Sequence, residues 1–315
     1  FSSYGGQVLM MFGLMTEMAR MLPRAIVSMR RIEEVLDFQP SVVPGTSPDA
    51  GTIESIEFSD VTFSYPGSNR NAVENISFTL SRGKTLAIIG PTGSGKTTVI
   101  GLLCRLFDPV SGEVRVNGTD IRDLDPSDLR RHMGVVPQRQ TLFSGDVRSN
   151  VNFGEGADSR NDDDVWAALD VAQASDFVRS RKEGLDSPVS QRGANLSGGQ
   201  RQRIAIARAL IRHPDVYVMD DCLSALDFRT ERAFLDAFRK ESEGSMVVMV
   251  SQRVGTVMHA DQILVMEDGR IVGAGTHEEL VGSCPLYREI SESQAVEADR
   301  WKKGSGRPSV GCSVT

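Results

Sequence analysis

The stretch Lys84 to Ile100, KTLAIIGPTGSGKTTVI, constrains the fold more than any other, because an apolar run, a glycine-rich turn and a lysine-threonine pair follow one another without interruption. Leu86 to Ile89 is apolar throughout and lacks helical spacing, which predicts a strand buried on both faces of a parallel sheet. From Gly90 to Thr97 the chain matches G-x-x-x-x-G-K-[ST], in which small residues let several backbone N–H groups turn inward around one anion. A helix beginning near Gly95 would add its positive end at the same point. Lys96 would set a full charge between the β and γ groups of a triphosphate, and Thr97 would place its hydroxyl on Mg²⁺. The candidate phosphate-binding residues are therefore Gly90, Thr92, Gly93, Ser94, Gly95, Lys96, Thr97 and Thr98. A turn that binds nothing is the alternative, and the strand-loop-helix context argues against it.

Other segments deliver polar residues to the ends of apolar runs, the edge at which ligands gather in open α/β sheets. Val216 to Met219 ends in Asp220 and Asp221, the arrangement that holds Mg²⁺ through a carboxylate, with the second acid free to act on water. Val135 and Val136 run into Pro137-Gln138-Arg139, so Gln138 either reaches Mg²⁺ or the attacking water or is a solvated loop residue. Met246 to Val250 ends in Ser251-Gln252-Arg253. Leu196-Ser197-Gly198-Gly199-Gln200 opens a helix to Arg212, offering either a second anion-receptive helix end or a serine cap after a flexible turn. Ser224 to Asp227 forms a short loop before the helix around Glu231 to Phe238, and Asp162 to Val178 has helical spacing.

Around this core, Ile56, Phe58, Val61, Phe63 and Tyr65 alternate as one strand or paired strands ending at Pro66-Gly67, and Ile76, Phe78 and Leu80 read as another, predicting a small, mostly antiparallel sheet. Tyr65 is either a ring that stacks on a base or a half-buried strand aromatic. Ile263 to Met266 and Ile271 to Ala274 form a hairpin turning at Glu267-Asp268-Gly269, and Thr276 with Glu279 makes a capping box.

The N-terminus begins at Phe1 rather than Met, which suggests a piece of a longer protein. Phe1 to Val27 is helix-like, with its densest apolar part, Val8 to Leu14, too short to span a bilayer alone. Arg20, Arg24, Arg30 and Arg31 follow, as where a membrane helix emerges on the cytoplasmic side; an amphipathic soluble helix is the alternative. Gln39 to Gly51, with three prolines and two glycines, reads as a linker. A net charge of −7 and a pI near 5.3 argue against a nucleic-acid partner, whose footprint is a basic face. Cys104, Cys222, Cys284 and Cys312 have no C-x-x-C spacing and the histidines no H-x-x-x-H pair, so neither a disulfide framework nor a zinc site is indicated.

With the phosphate loop, LSGGQ and VYVMDD in this order, the sequence resembles the nucleotide-binding domain of an ATP-binding-cassette (ABC) transporter over Ile53 to Ser291. The resemblance implies an α/β fold: a P-loop NTPase core with a parallel sheet, an antiparallel β subdomain and a helical subdomain. It implies ATP and Mg²⁺ as ligands. Tyr65 becomes the adenine-stacking residue, Gln138 the Q-loop glutamine, Asp220 with Thr97 and Gln138 the Mg²⁺ site, and Asp221 the catalytic acid. Ser197, Gly198, Gly199 and Gln200 become the signature that completes a partner's ATP site, Asp227 part of the D-loop, and Gln252 the occupant of the switch-histidine position. Leu142 to Gly145 and Gly275 to Leu280 look like the exporter branch. The expected organisation is the end of a last transmembrane helix and its cytoplasmic extension over 1–38, a linker over 39–52, the nucleotide-binding domain over 53–291 and a flexible tail over 292–315. Such a chain would work at the cell membrane with its nucleotide-binding domain on the cytoplasmic side. A soluble ATPase of the same superfamily and a non-hydrolysing regulatory module are the other readings.

Three segments depart from the family pattern. Asp221 stands where the family usually has glutamate, Gln252 where it has histidine, and Ser190-Gln191-Arg192-Gly193 where it has glycine-glutamate-arginine-glycine. Aspartate is about 1.5 Å shorter, and a misplacement near 1 Å can cost roughly a hundredfold in rate. Gln252 still donates a hydrogen bond but carries no titratable charge. The chain is therefore expected to own a slow ATP half-site, to lend an intact signature to a second half-transporter, and to act as a heterodimer.

Overall fold

A computed structural model of the chain describes residues 2–46 and 50–304, with side chains over 4–46 and 50–294. Contacts divide it into two units after Val43. The first is one long helix, α1 (Ser2–Leu36), whose side chains, apolar ones included, are exposed along its whole described length. Among the described residues no helix is long and apolar enough to cross a membrane. Glu17, Arg20 and Arg24 enter α1 within the roughly 20 apolar residues that a span requires.

The second unit begins inside the expected linker, where the Gly45 N–H donates to the Leu124 carbonyl and the Asn117 side chain donates to the carbonyls of Ala50 and Thr52. Its strands are β1 (Ser55–Phe63), β2 (Val73–Ser81), β3 (Thr85–Ile89), β4 (Ser111–Val116), β5 (Thr119–Asp120), β6 (Met133–Val136), β7 (Gly145–Asp146), β8 (Pro188–Val189), β9 (Val216–Asp220), β10 (Met246–Val250), β11 (Gln262–Glu267) and β12 (Arg270–Gly275). The helices that bear on the site are α2 (Lys96–Leu103), α3 (Pro126–Arg131), α4 (Val147–Val151), α5 (Asp162–Val171), α6 (Ser175–Arg179), α7 (Gly198–Leu210), α8 (Phe228–Glu241), α9 (Val254–Val257), α10 (His277–Ser283) and α11 (Pro285–Gly304).

β2, β1, β4 and β5 form the antiparallel sheet. β1 is one strand, and bulges on either side of Val61, next to Asp60 at φ 48°, explain why its buried residues step by three between Phe58 and Val61. The main sheet runs β12-β11-β3-β10-β9-β6, parallel except for the β11–β12 hairpin. Its central strands read as unbroken apolar runs because each face meets its own core. Leu86 and Ile88 of β3, with Val216 and Val218 of β9, join a cluster with the antiparallel sheet and α2. Tyr217 and Met219, with Val247 and Met249, pack instead against α5, α7 and α8.

The parallel order places the C-terminal ends of β3, β6, β9 and β10 along one edge; Asp220 is in register with Val250, and Val136 with Met219. Two elements differ from the sequence reading. The segment 162–178 breaks into α5 and α6 at Gln173, whose φ of 57° a continuous helix cannot hold. α11 runs to Gly304, thirteen residues into the segment expected as a flexible tail, and residues 305–315 lie outside the described ones. Acidic and basic residues with few apolar ones suggest disorder by composition, yet glutamate, lysine, arginine and alanine are also good helix formers.

Candidate functional site

β3 stops at Ile89 because the chain must turn sharply into the phosphate loop. A Cβ on Gly90 would lie 2.1 Å from the Met266 carbonyl oxygen, and one on Gly95 2.7 Å from Val73 Cγ1, so both positions need the missing side chain. Gly95, at φ 97°, is the N-cap of α2. The β11–β12 turn braces this loop from outside: the Gly269 N–H donates to the Ser94 carbonyl at 3.2 Å and the Gly269 carbonyl accepts from the Glu74 N–H at 2.8 Å.

The Lys96 ammonium is folded back onto the loop, donating to the carbonyls of Gly90 (2.8 Å) and Pro91 (2.6 Å) and to Ser94 Oγ (3.2 Å). Burial lowers its pKa, while Asp221 and Asp220 pull the other way. Its charge is thus already stripped of most water and fixed by the loop's own oxygens, which a phosphate can replace at little reorganisation. Gly90 and Ser94 do not line the cavity beside the loop; they act behind Lys96.

That cavity measures about 660 Å³ and is lined by Thr92, Gly93, Gly95, Lys96, Thr97 and Thr98 from the loop and α2, and by Gln138, Asp220, Asp221 and Gln252 from the strand ends. The volume suits a nucleotide-sized ligand. Tyr65 stands at its wall with its hydroxyl 3.1 Å from Thr98 Oγ1 and its ring edge-on to Phe63 and Phe107. Strand packing and cavity lining are therefore both true of it. The cavity also takes Arg70, Asn71 and Asp268, which sequence reasoning missed. They lie in connections without a motif, Arg70 and Asn71 between β1 and β2 and Asp268 in the β11–β12 turn, which the pairing of β11 with β3 carries to the loop.

At the other end Thr97 Oγ1 donates to Asp220 Oδ1 at 3.3 Å. A hydroxyl, a carboxylate and the nearby Gln138 amide oxygen are hard oxygen donors of the kind Mg²⁺ takes while keeping waters and phosphate oxygens, so these residues fit the ion. Among the described residues no group of three His, Cys, Asp or Glu forms a denser metal cage.

Asp221 follows at φ 46°, in the left-handed region, where its N–H donates to the Val250 carbonyl at 2.9 Å. Aspartate tolerates that backbone better than most residues. Gln252 Nε2 approaches Asp221 Oδ2 at 3.4 Å, and Gln138 lines the cavity beside the same carboxylate. Burial pushes both acids above the usual carboxylate range: for Asp220 a hydrogen bond from Thr97 opposes it, and for Asp221 those from Gln138 and Gln252 with the nearby Lys96. A carboxylate held above its usual range is a better proton acceptor.

The signature lies elsewhere. Ser197 Oγ accepts from the Gln200 N–H (3.3 Å) and Gln200 Oε1 from the Ser197 N–H (3.0 Å), a capping box that starts α7. Ser197 and Gly198 are exposed, and none of the four signature residues lines the cavity. α7 is tied to the following loop through buried Gln202, whose Oε1 accepts from the Ala225 N–H at 3.2 Å. Asp227 caps α8 through the N–H groups of Arg229 and Thr230, and the Thr230 hydroxyl with these amides holds its carboxyl below the usual range. From the switch side, the Arg253 guanidinium donates to the Ser224 carbonyl (3.2 Å) and the Leu226 carbonyl (3.5 Å) and pairs with buried Glu231, which also accepts from the Thr256 hydroxyl. Loop and switch segment are thereby latched together within one chain.

Residues 73–224 match the family model described as ABC transporter, with the phosphate loop, signature and Asp220–Asp221 inside the match. The chain carries an ABC transporter ATP-binding domain. The domain is of a family of ATPases, and the chain is similar to a solved bacterial Atm1-family ABC exporter with ATP bound, at a TM-score of 0.82 and 33% identity over 88% of this chain and 48% of that one. An uncharacterized ABC transporter ATP-binding protein of Mycobacterium tuberculosis (strain ATCC 25618 / H37Rv) is 42% identical over 95% of this chain and 52% of its own length. An ATP-dependent lipid A-core flippase of Vibrio vulnificus (strain YJ016) is 35% identical over 90% and 50%. The chain thus spans about half the length of the curated relatives it matches.

Proposed function

We propose that the chain is the ATP-binding and ATP-hydrolysing part of a membrane exporter, in which binding and dimer closure drive efflux, and that it works beside a second half-transporter. The observation that carries this reading is the split of the chemistry over two surfaces. Lys96, Thr97, Asp220 and Asp221 share one cavity, whereas Ser197 to Gln200 present a capped helix start outside it. Each surface needs a counterpart, which a second cassette supplies. α1, with its apolar side chains exposed and Arg20, Arg24, Arg30 and Arg31 along it, is read as the cytoplasmic extension of a membrane helix, placing the cassette on the cytoplasmic side.

In the chain's own site Lys96 neutralises phosphate charge, and the backbone N–H groups at the start of α2 bind phosphate oxygens. Tyr65 supports the adenine. Bound Mg²⁺, held by Thr97, Asp220 and Gln138, would neutralise charge on the departing phosphate. Asp221 orients and deprotonates the attacking water, and Gln252 donates to the γ-phosphate. Turnover here is slow, since Asp221 is a methylene short of the usual glutamate and Gln252 cannot carry a proton. The partner's site, completed by the intact signature, is the faster one, and the pair is a heterodimer.

A reconstituted heterodimer tests this at saturating ATP. Ser197→Arg, which sets bulk and positive charge where the partner's nucleotide docks, should suppress most hydrolysis, and Asp221→Asn should do much less. If Asp221→Asn stops hydrolysis while Ser197→Arg spares it, the assignment of slow and fast sites is reversed.

A further inference from the structure

The C-terminal helix reaches back to the nucleotide site through one side chain. Gln294 of α11 donates from Nε2 to the Gln252 carbonyl at 2.6 Å and accepts at Oε1 from the Val254 N–H at 2.8 Å. One amide thus spans residues 252 to 254 as a neighbouring strand would. Its orientation is fixed, because the reverse would set oxygen against carbonyl and NH₂ against N–H.

The switch segment needs such support. Val254 is the first residue of α9, whose opening N–H groups find no partner inside so short a helix, and the Arg253 side chain at the N-cap makes no capping bond. Ser251 Oγ accepts the Arg253 N–H at 3.0 Å, and Gln294 completes the hold on either side. Between these anchors the Gln252 side chain extends to Asp221 Oδ2.

We propose that Gln294 is a positioning residue of the ATPase site: by fixing the 252–254 backbone from the C-terminal helix, it aims Gln252 at Asp221 and the γ-phosphate. This rests on the reading of Gln252 as the γ-phosphate contact. Among the described residues no hydrogen bond joins α11 to the phosphate loop, so a displaced α11 loosens the switch and leaves nucleotide capture intact.

The test uses the homodimerised 315-residue chain with Gln294→Ala, Gln252→Ala and the double change. Gln294→Ala should speed hydrogen exchange at the Val254 amide about tenfold, the loss of roughly one hydrogen bond. It should lower kcat for ATP by about tenfold or more, as a misplaced catalytic contact does, while KM for Mg-ATP and affinity for Mg-ADP, which lacks the γ-phosphate, stay within about twofold. In the Gln252→Ala background it should lower kcat no further. Gln294→Glu keeps an acceptor for the Val254 N–H and loses the donor to Gln252, so it should retain Val254 protection and still lose rate. Unchanged exchange at Val254 in Gln294→Ala overturns the proposal, and so does an equal rate loss with and without Gln252. If Gln252→Ala itself leaves kcat and ATP-over-ADP preference unchanged, the γ-phosphate reading of Gln252 has failed, and the exchange result separately reports whether the clamp exists.

Discussion

The latch between Arg253 and Glu231 should respond asymmetrically to the loss of either partner. The Glu231 side chain is 6% exposed and that of Arg253 43%, so water can rescue the arginine and not the glutamate. Arg253→Ala leaves a buried carboxylate still accepting from the Thr256 hydroxyl but without its cation. Stranding a buried charge costs about 3–5 kcal/mol, and about 3 is expected because the vacated guanidinium space admits some water. Glu231→Gln leaves a neutral amide of the same shape that still accepts from Arg253, and Arg253 keeps the Ser224 and Leu226 carbonyls; about 1 kcal/mol is expected. The double change should be more stable than Arg253→Ala alone by about 2 kcal/mol, since it removes the stranded charge. Urea unfolding of the four proteins, followed by tryptophan fluorescence, measures the cycle. If Arg253→Ala costs no more than Glu231→Gln, or if the second change fails to recover stability, the carboxylate is not confined as the structure has it and the argument is refuted.

Lys96→Ala should reduce binding of a fluorescent ATP analogue by well over tenfold in equilibrium titration, because it removes the full positive charge that the phosphate loop itself carries into the cavity. Asp221→Glu with Gln252→His should raise phosphate release from a homodimerised chain by more than the sum of the single effects in free energy; flat turnover would mean that these residues do not limit it. Gly90→Ala should lower the melting temperature by several degrees, since its Cβ meets the Met266 carbonyl at 2.1 Å, whereas Gly83→Ala, with no atom near its Cβ, pays only for its φ of 74°. Asp220 has a folded carboxyl pKa above the unfolded one, so the folded state holds its proton more tightly; that stability is present at low pH and is lost as pH rises from the ordinary carboxylate value through the raised one. Asp220→Asn should therefore raise the melting temperature of the nucleotide-free protein more at about pH 7 than at about pH 4, and an equal shift at both would contradict the burial.

The sequence by itself determined the elements whose signals are local. Gly90 to Thr97 specifies a strand-loop-helix because only glycine fits its closest turns, and the apolar run before Asp220 specifies a buried strand because each face meets a core. Ser197 with Gln200, and Thr276 with Glu279, announce helix starts by chemistry contained within four residues. What the tertiary structure decided is which distant residues share a site. Arg70, Asn71 and Asp268 sit on turns that look alike in any sequence, and the pairing of β11 with β3 brings Asp268 to the cavity. Glu231, read as an ordinary helix residue, is buried against Arg253 and Thr256, and Gln294, in a segment whose composition suggested a loose tail, clasps the backbone beside Gln252. A side chain that acts across 22 or 42 residues leaves no periodicity or spacing to read. Its partner is set by how strands and helices pack, and that packing is a property of the whole chain.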